Sequence, residues 1–166
     1  MLFVYITVII SFLLDGILSN FLNYMLGDIS IFNPLLTIVT IIMIYPYFKK
    51  DENKYFITSF ILGFLYDLFY TNLLFTDAIL FLLLALIYSY LYKKLEVNVL
   101  TTAFSICLII SIYEIILAFL LFIFDIVPVT LSEVSYLIVN SLLLNVIYGE
   151  ILYLISRITK RKRRLN

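Results

Sequence analysis

Six apolar runs set apart by short polar breaks organise the chain. They are Leu2–Leu22, Ile31–Phe48, Tyr55–Tyr70, Asp77–Tyr92, Val99–Phe124 and Leu131–Ser156. A helix of roughly 20 mostly apolar residues is what crosses the hydrocarbon core of a bilayer. The third and fourth runs are the shortest. At ~1.5 Å per residue they lie at the edge of what spans ~30 Å. The break between them, Thr-Asn-Leu-Leu-Phe-Thr, is itself fairly apolar. One straight helix through both runs would overshoot the bilayer, so two crossings joined by a tight turn are expected. The pattern predicts an all-α integral membrane protein with six transmembrane helices.

Composition supports this reading. Of 166 residues, 64% are apolar and 13% charged, where a soluble domain is nearer half apolar and a quarter charged. A small domain has too much surface for its volume to hide that surplus, so the surrounding medium is largely lipid. Six spans would use about 120 residues. The expectation is therefore a single transmembrane domain over residues 1–156 and a basic tail over 157–166. The first run lacks a basic flank and a small-residue cleavage site, and is read as a retained helix rather than a signal peptide.

The net charge of zero conceals an uneven distribution. If the N-terminus is cytoplasmic and the spans alternate, the inner segments carry Lys49, Lys50, Lys54, Lys93, Lys94, Arg157, Lys160, Arg161, Lys162, Arg163 and Arg164. These are all 11 Lys and Arg of the chain. The outer loops hold none and are bordered by Asp28, Asp77, Asp125 and Glu133. Short loops rich in Lys and Arg stay inside, so both termini are expected in the cytoplasm. Tyr45, Tyr47 and Tyr55, and again Tyr88, Tyr90 and Tyr92, read as an aromatic belt at the inner interface, their phenols reaching the headgroups. The cluster Arg161, Lys162, Arg163 and Arg164 reads as a grip on anionic lipid worth about 1 kcal/mol per charge, with an acidic cytoplasmic partner as the alternative. No folded domain accompanies these charges to suggest nucleic acid.

Several chemistries are excluded outright. Without histidine, neither a Ser-His-Asp triad nor an imidazole metal site can be built. Cys107 is the single cysteine and sits in an apolar run, where a thiol behaves as a small hydrophobe. Four glycines form no phosphate-binding loop. No cofactor is expected.

The acids inside the apolar runs need a reason, since an ionisable group in hydrocarbon costs at least ~2.5 kcal/mol. They are Asp15, Asp67, Glu114 and Glu150, and no Lys or Arg lies within any run to pair with them. Asp15 and Asp67 fall at similar depth, ~18–20 Å from the inner face. Glu150 is close enough to its helix end to reach the inner headgroups. Three roles stay open: hydrogen bonding between helices, partner binding, and a substrate or proton path. Packing is favoured by the neighbours. Gly63 and Asp67 are four apart and share a helix face, and Ser141, Asn145 and Gly149 form a similar small-polar stripe. Tyr66-Asp67 is the dipeptide of intramembrane aspartyl proteases, but those need a second aspartate in a Gly-x-Gly-Asp turn. Asp77 follows Leu-Phe-Thr, so that reading is rejected.

Two segments carry a family resemblance. The third run contains Gly63-Phe-Leu-Tyr-Asp67-Leu-Phe, and the second opens Phe32-Asn33-Pro34-Leu35-Leu36 and continues to Tyr45-Pro-Tyr47. With the length, the six runs and the basic tail, the chain resembles the MreD family of the bacterial cell-elongation machinery. Family members often have a glycine where this chain has Thr76-Asp77, and an acid where it has Leu35. The resemblance implies a non-enzymatic scaffold in the bacterial cytoplasmic membrane, acting in rod shape and lateral peptidoglycan synthesis. Its partner would be an MreC-like single-span protein. Through it the chain would join a RodA-like glycosyltransferase, a class B penicillin-binding protein and the actin-like MreB. Gly63, Asp67, Asp15, Glu114, Asn33 and Pro34 are then candidates for partner binding or interhelix packing. The family fold is similar to the substrate-binding subunits of energy-coupling-factor transporters. A vitamin-binding subunit of that kind is the alternative, although the first run has no alanine for docking on a coupling subunit. A proton-coupled carrier ranks third, as no internal repeat is visible.

Overall fold

The structure, a computed structural model, describes residues 2–26, 33–71, 75–125 and 130–165, with side chains for 3–21, 33–71, 75–125 and 130–158. The described residues form six helices: α1 (Leu2–Leu26), α2 (Leu36–Phe48), α3 (Glu52–Phe69), α4 (Thr76–Lys94), α5 (Val99–Ile123) and α6 (Leu131–Leu165). Four of them, α1, α4, α5 and α6, are long and apolar enough to cross a membrane. Helix α6 continues without a break through the basic tail as far as Leu165. The side chains of Arg161, Lys162, Arg163 and Arg164 lie outside those described.

Helix α2 forms the axis of the bundle. It has only 13 residues, about 20 Å of rise, and it packs against all five other helices. Every residue from Pro34 to Tyr45 is buried, as expected of a helix that is apolar on all sides. The second apolar run is thus shorter as a helix than as a sequence pattern. Asn33, Pro34 and Leu35 precede α2 in non-helical backbone, as a proline near a helix start favours.

Around this apolar axis, α1 and α6 show a burial pattern that is the reverse of a soluble bundle's. Along α1, Ile9, Leu13 and Ile17 are exposed while Thr7, Ser11 and Asp15 are buried. Along α6, Val139, Leu143, Ile147 and Ile151 are exposed while Ser141 and Asn145 have no accessible surface. Apolar residues outside and hydrogen-bonded polar residues inside is the arrangement that hydrocarbon solvent selects. With the helix lengths, it makes this a multi-pass membrane protein. At mid-depth the Ser11 hydroxyl meets both the Thr40 hydroxyl and, at 2.6 Å, the Tyr148 phenol, joining α1, α2 and α6.

The tyrosines depart from the interfacial belt expected of them. Tyr45 and Tyr55 have no accessible surface and Tyr88 almost none. Their rings stack edge-on around Tyr45, 4.9 Å from Tyr55 and 5.8 Å from Tyr88. The Tyr55 phenol donates to the Ile41 carbonyl at 3.2 Å, an acceptor that Tyr55 reaches because Tyr45 and Phe48 hold its ring against α2. Only Tyr90 of the six is well exposed, with the Lys94 ammonium 4.3 Å from its ring centre. Around the cluster, Glu52 accepts from the Tyr45 phenol at 2.8 Å and pairs with Lys93 at 2.8 Å. Lys93 first, then the Tyr45 phenol, hold the Glu52 carboxyl below its ordinary range. The C-terminal ends of α2 and α4 and the start of α3 are thereby tied together.

Helices α3 and α4 make the most intimate pair, and Gly63 is why. A Cβ at that position would run into the Asp77 carbonyl and the Ala78 backbone. Backbone cannot yield as a side-chain tip does, so we expect Gly63→Ala to destabilise the protein by about 1–3 kcal/mol and Gly63→Leu to prevent α3–α4 closure. Thermal unfolding of the purified variants in detergent checks both. An unchanged melting temperature for Gly63→Leu would contradict the packing described.

Candidate functional site: carboxyl groups at recessed helix starts

The first turn of any helix presents backbone N–H groups with no partner inside the helix. Three helices solve this locally. Asp51 accepts from the Lys54 amide at the start of α3, Asn98 and Thr101 form a reciprocal capping box on α5, and Thr130 and Glu133 do the same on α6. Helices α2 and α4 cannot. They are preceded by Leu35 and Phe75, neither of which offers a side-chain cap, and both starts are buried.

Each of these starts is capped instead by the carboxyl group of the preceding helix. Asp15 of α1 accepts from the Leu36 amide at 2.6 Å with one oxygen, and with the other from the Thr37 amide at 2.8 Å and the Thr37 hydroxyl. Asp67 of α3 accepts from the Asp77 amide at 2.8 Å and the Ala78 amide at 3.0 Å. Asp15 is 2% exposed and Asp67 1%. A carboxyl group at a helix N-terminus also faces the positive end of the peptide dipoles. Asp67 lies one helical turn after Gly63, so the Gly-x-x-x-Asp spacing has a physical reading. The glycine lets the start of α4 lie on α3, and the aspartate bonds the same turn.

The α2 start is held from two further helices. Asn145 of α6 accepts from the Leu35 amide and donates to the Asn33 carbonyl, both at 2.9 Å, and also donates to the Ser141 carbonyl. Glu114 of α5 accepts from the Asn33 side-chain amide at 2.9 Å. Asp15, Asn33, Pro34 and Glu114 therefore converge on one place, whereas Gly63 and Asp67 serve the equivalent place on α4. The α4 start carries a second layer: the Tyr113 phenol of α5 donates to Asp77 at 2.9 Å, and the Thr71 hydroxyl bridges Asp67 and Asp77. Sequence reasoning placed Asp77 at a loop border and passed over Thr37, Thr71 and Tyr113. The available signals were the position of Thr37 in the first turn of α2, of Thr71 in the break before α4, and of Tyr113 beside Glu114. Ser111, one turn before Glu114, donates to the Cys107 carbonyl instead. Glu150, expected at the headgroups, has one carboxyl oxygen buried without a hydrogen-bond partner among the described residues.

Beyond the capped start of α2 the longer helices continue. α1 runs 11 residues past Asp15 and α5 nine past Glu114, about 14–16 Å of rise. The recess between them is a cleft of about 350 Å³ floored by Asp15, Asn33 and Leu35. It lies at the end of the bundle opposite Lys49, Lys54 and Lys93. Among the described residues, no three His, Cys, Asp or Glu side chains form a metal-binding group.

The family model described as rod shape-determining protein MreD matches residues 1–162 of the chain. No curated protein matches it. No solved structure matches it either.

Each capping carboxyl uses both oxygens as acceptors, which an amide cannot do. Asp15→Asn and Asp67→Asn are therefore expected to cost about 1–3 kcal/mol each with membrane insertion intact. The pair should be close to additive, since the two caps share no partner. Unfolding of the single and double variants in detergent provides the check. Wild-type stability in both single variants would show that the caps carry no weight.

Proposed function

The chain belongs to the MreD family of rod shape-determining proteins, and we propose that it works there as a non-enzymatic membrane scaffold of the cell-elongation machinery. One observation carries this reading: the buried carboxyls Asp15, Asp67, Asp77 and Glu114 are all engaged in hydrogen bonds within the bundle. Acids committed to holding helix starts are poorly placed to shuttle protons or cleave a substrate. What the bundle offers to other molecules is mostly helix flank, such as the apolar groove of about 440 Å³ between α5 and α6 lined by Phe119, Phe122 and Leu131. A surface of that kind suits the single span of an MreC-like protein. Through such a partner the chain would act on a RodA-like glycosyltransferase, a class B penicillin-binding protein and MreB.

In this reading all six helices cross the bacterial cytoplasmic membrane and both termini are cytoplasmic. The supporting facts are the confinement of all Lys and Arg to three alternate segments and the pairing of Lys93 and Glu52 at one end of the bundle. Residues 1–156 form the membrane domain, and Arg161, Lys162, Arg163 and Arg164 extend α6 toward anionic headgroups. As the family resemblance implies, the fold is similar to the substrate-binding subunits of energy-coupling-factor transporters.

The test is affinity purification of the tagged protein from its own cells in mild detergent. Recovery of a coiled-coil single-span protein with a glycosyltransferase or transpeptidase is the expected result. Recovery of paired ATPases with a coupling membrane subunit would overturn the scaffold reading. Topology is checked separately by cysteine labelling in a Cys107→Ala background. A thiol at Asp28 should react with impermeant reagent from outside whole cells, and one at Glu96 only after lysis.

A further inference from the structure

The cleft above α2 contains a polar group that the fold does not use. Tyr66 is 8% exposed and lines the cleft, yet its phenol oxygen has no hydrogen-bond partner among the described residues, unlike the neighbouring Tyr70 and Tyr113 phenols. Nothing in the packing of the ring, which stacks on Tyr70 and Phe81, requires the oxygen. At about 350 Å³ the space falls within the range of small-molecule sites, roughly 300–1,000 Å³.

The remaining bonding capacity of the walls states what would fit. One N–H of each side-chain amide is spent internally: Asn20 donates to the Gly16 carbonyl and Asn33 to Glu114. The Tyr70 phenol donates to the Phe12 carbonyl at 2.6 Å. Unused among the described residues are the second N–H of each amide and a larger set of acceptors, namely the Asn20 and Asn33 amide oxygens and the lone pairs of Tyr70. The hydroxyls of Tyr66 and Ser19 can accept as well. The amides at the α2 start, which would otherwise attract an anion, are already occupied by Asp15. No Lys, Arg or His occurs in residues 1–48, 55–92 or 95–156, so a phosphate would meet no counter-charge. An ammonium group brings three donors and no acceptor, and the aromatic rings of Tyr66, Phe69 and Tyr70 add faces that attract cations.

We propose that this cleft binds an organic primary ammonium group, with Tyr66, Asn20 and Asn33 as acceptors. The group belongs either to a free amine or to a lysine side chain of a neighbouring polypeptide. The site is independent of the scaffold role and stands or falls separately from it.

The experiment is calorimetric titration of the purified full-length protein in neutral detergent, at constant ionic strength, with cadaverine and with Nα-acetyl-lysine methylamide. Melting temperature is followed in parallel. Saturable binding of either probe, with a rise in melting temperature, is expected. Loss of one hydrogen bond to a charged group in Tyr66→Phe should weaken binding about tenfold while leaving the ligand-free melting temperature near wild type. Should Tyr66→Phe fold poorly, Asn20→Leu at the exposed rim gives the same reading. Tighter binding of the lysine derivative assigns the ammonium to a polypeptide, and tighter binding of cadaverine to a free amine. The proposal is overturned by an absence of saturable binding of both probes, by preference for inorganic phosphate or sorbitol, or by undiminished affinity in both variants.

Discussion

A backbone N–H group inside hydrocarbon has no water to bond, and that constraint organises this molecule. Helices that start at the aqueous edge can cap themselves with whatever polar residue comes to hand, as α5 does with Asn98 and Thr101. Helices α2 and α4 start within the bundle, behind Leu35 and Phe75. The acceptors must then come from another helix. A carboxyl group is well suited, because it offers two oxygens to two adjacent amides and sits at the favourable end of the dipole. In lipid the alternative is an open backbone group costing several kcal/mol, which outweighs the ~2.5 kcal/mol lower bound for placing an acid in a span.

The rest of the architecture follows from that choice. Because α2 begins level with Asp15, partway along α1, it is short enough to be enclosed by all five neighbours. Phe75 adopts a left-handed backbone with φ of 69°, a conformation bulky residues avoid. That strain is tolerated where Asp67 and Gly63 fix the turn that follows. The two capped hairpins, α1–α2 and α3–α4, are built alike, and α5 reaches each start with one side chain: Glu114 to Asn33 and Tyr113 to Asp77. Adjacent residues on α5 thus bridge the two hairpins through their polar ends.

Much of this was legible in the sequence. The helix count came from the apolar runs, and Asp15, Asp67 and Glu114 were conspicuous because an acid in an apolar run needs a reason. Gly63 could be placed on the face of Asp67 from spacing alone. What spacing cannot supply is the partner. Asp15 bonds residues 21 and 22 positions away, Asn145 bonds Leu35 across 110, and no local pattern encodes such distances. The length of α2 was only half visible: Asn33-Pro34 marks a place where a helix is disfavoured, but the capture of the Leu35 and Leu36 amides is what fixes where α2 starts. The tyrosines misled because an apolar helix end near lysines looks the same whether its phenols point to lipid headgroups or into the bundle.

A carboxyl in a membrane span is ordinarily read as machinery for moving ions or substrate. Here the same residues hold the backbone, and the distinction rests on where each oxygen goes. An acid whose oxygens are both satisfied by fixed amides gains little from a second state, so it makes a poor relay and a good fixed point. A rigid recess at one end of the bundle, walled by helices that continue past it, is the consequence. Function is then carried by what the fixed helices present, their apolar flanks and the cleft they enclose. The phenol of Tyr66 is the exception that gives the cleft its interest, because it is a polar group facing the cleft that the fold leaves without a task.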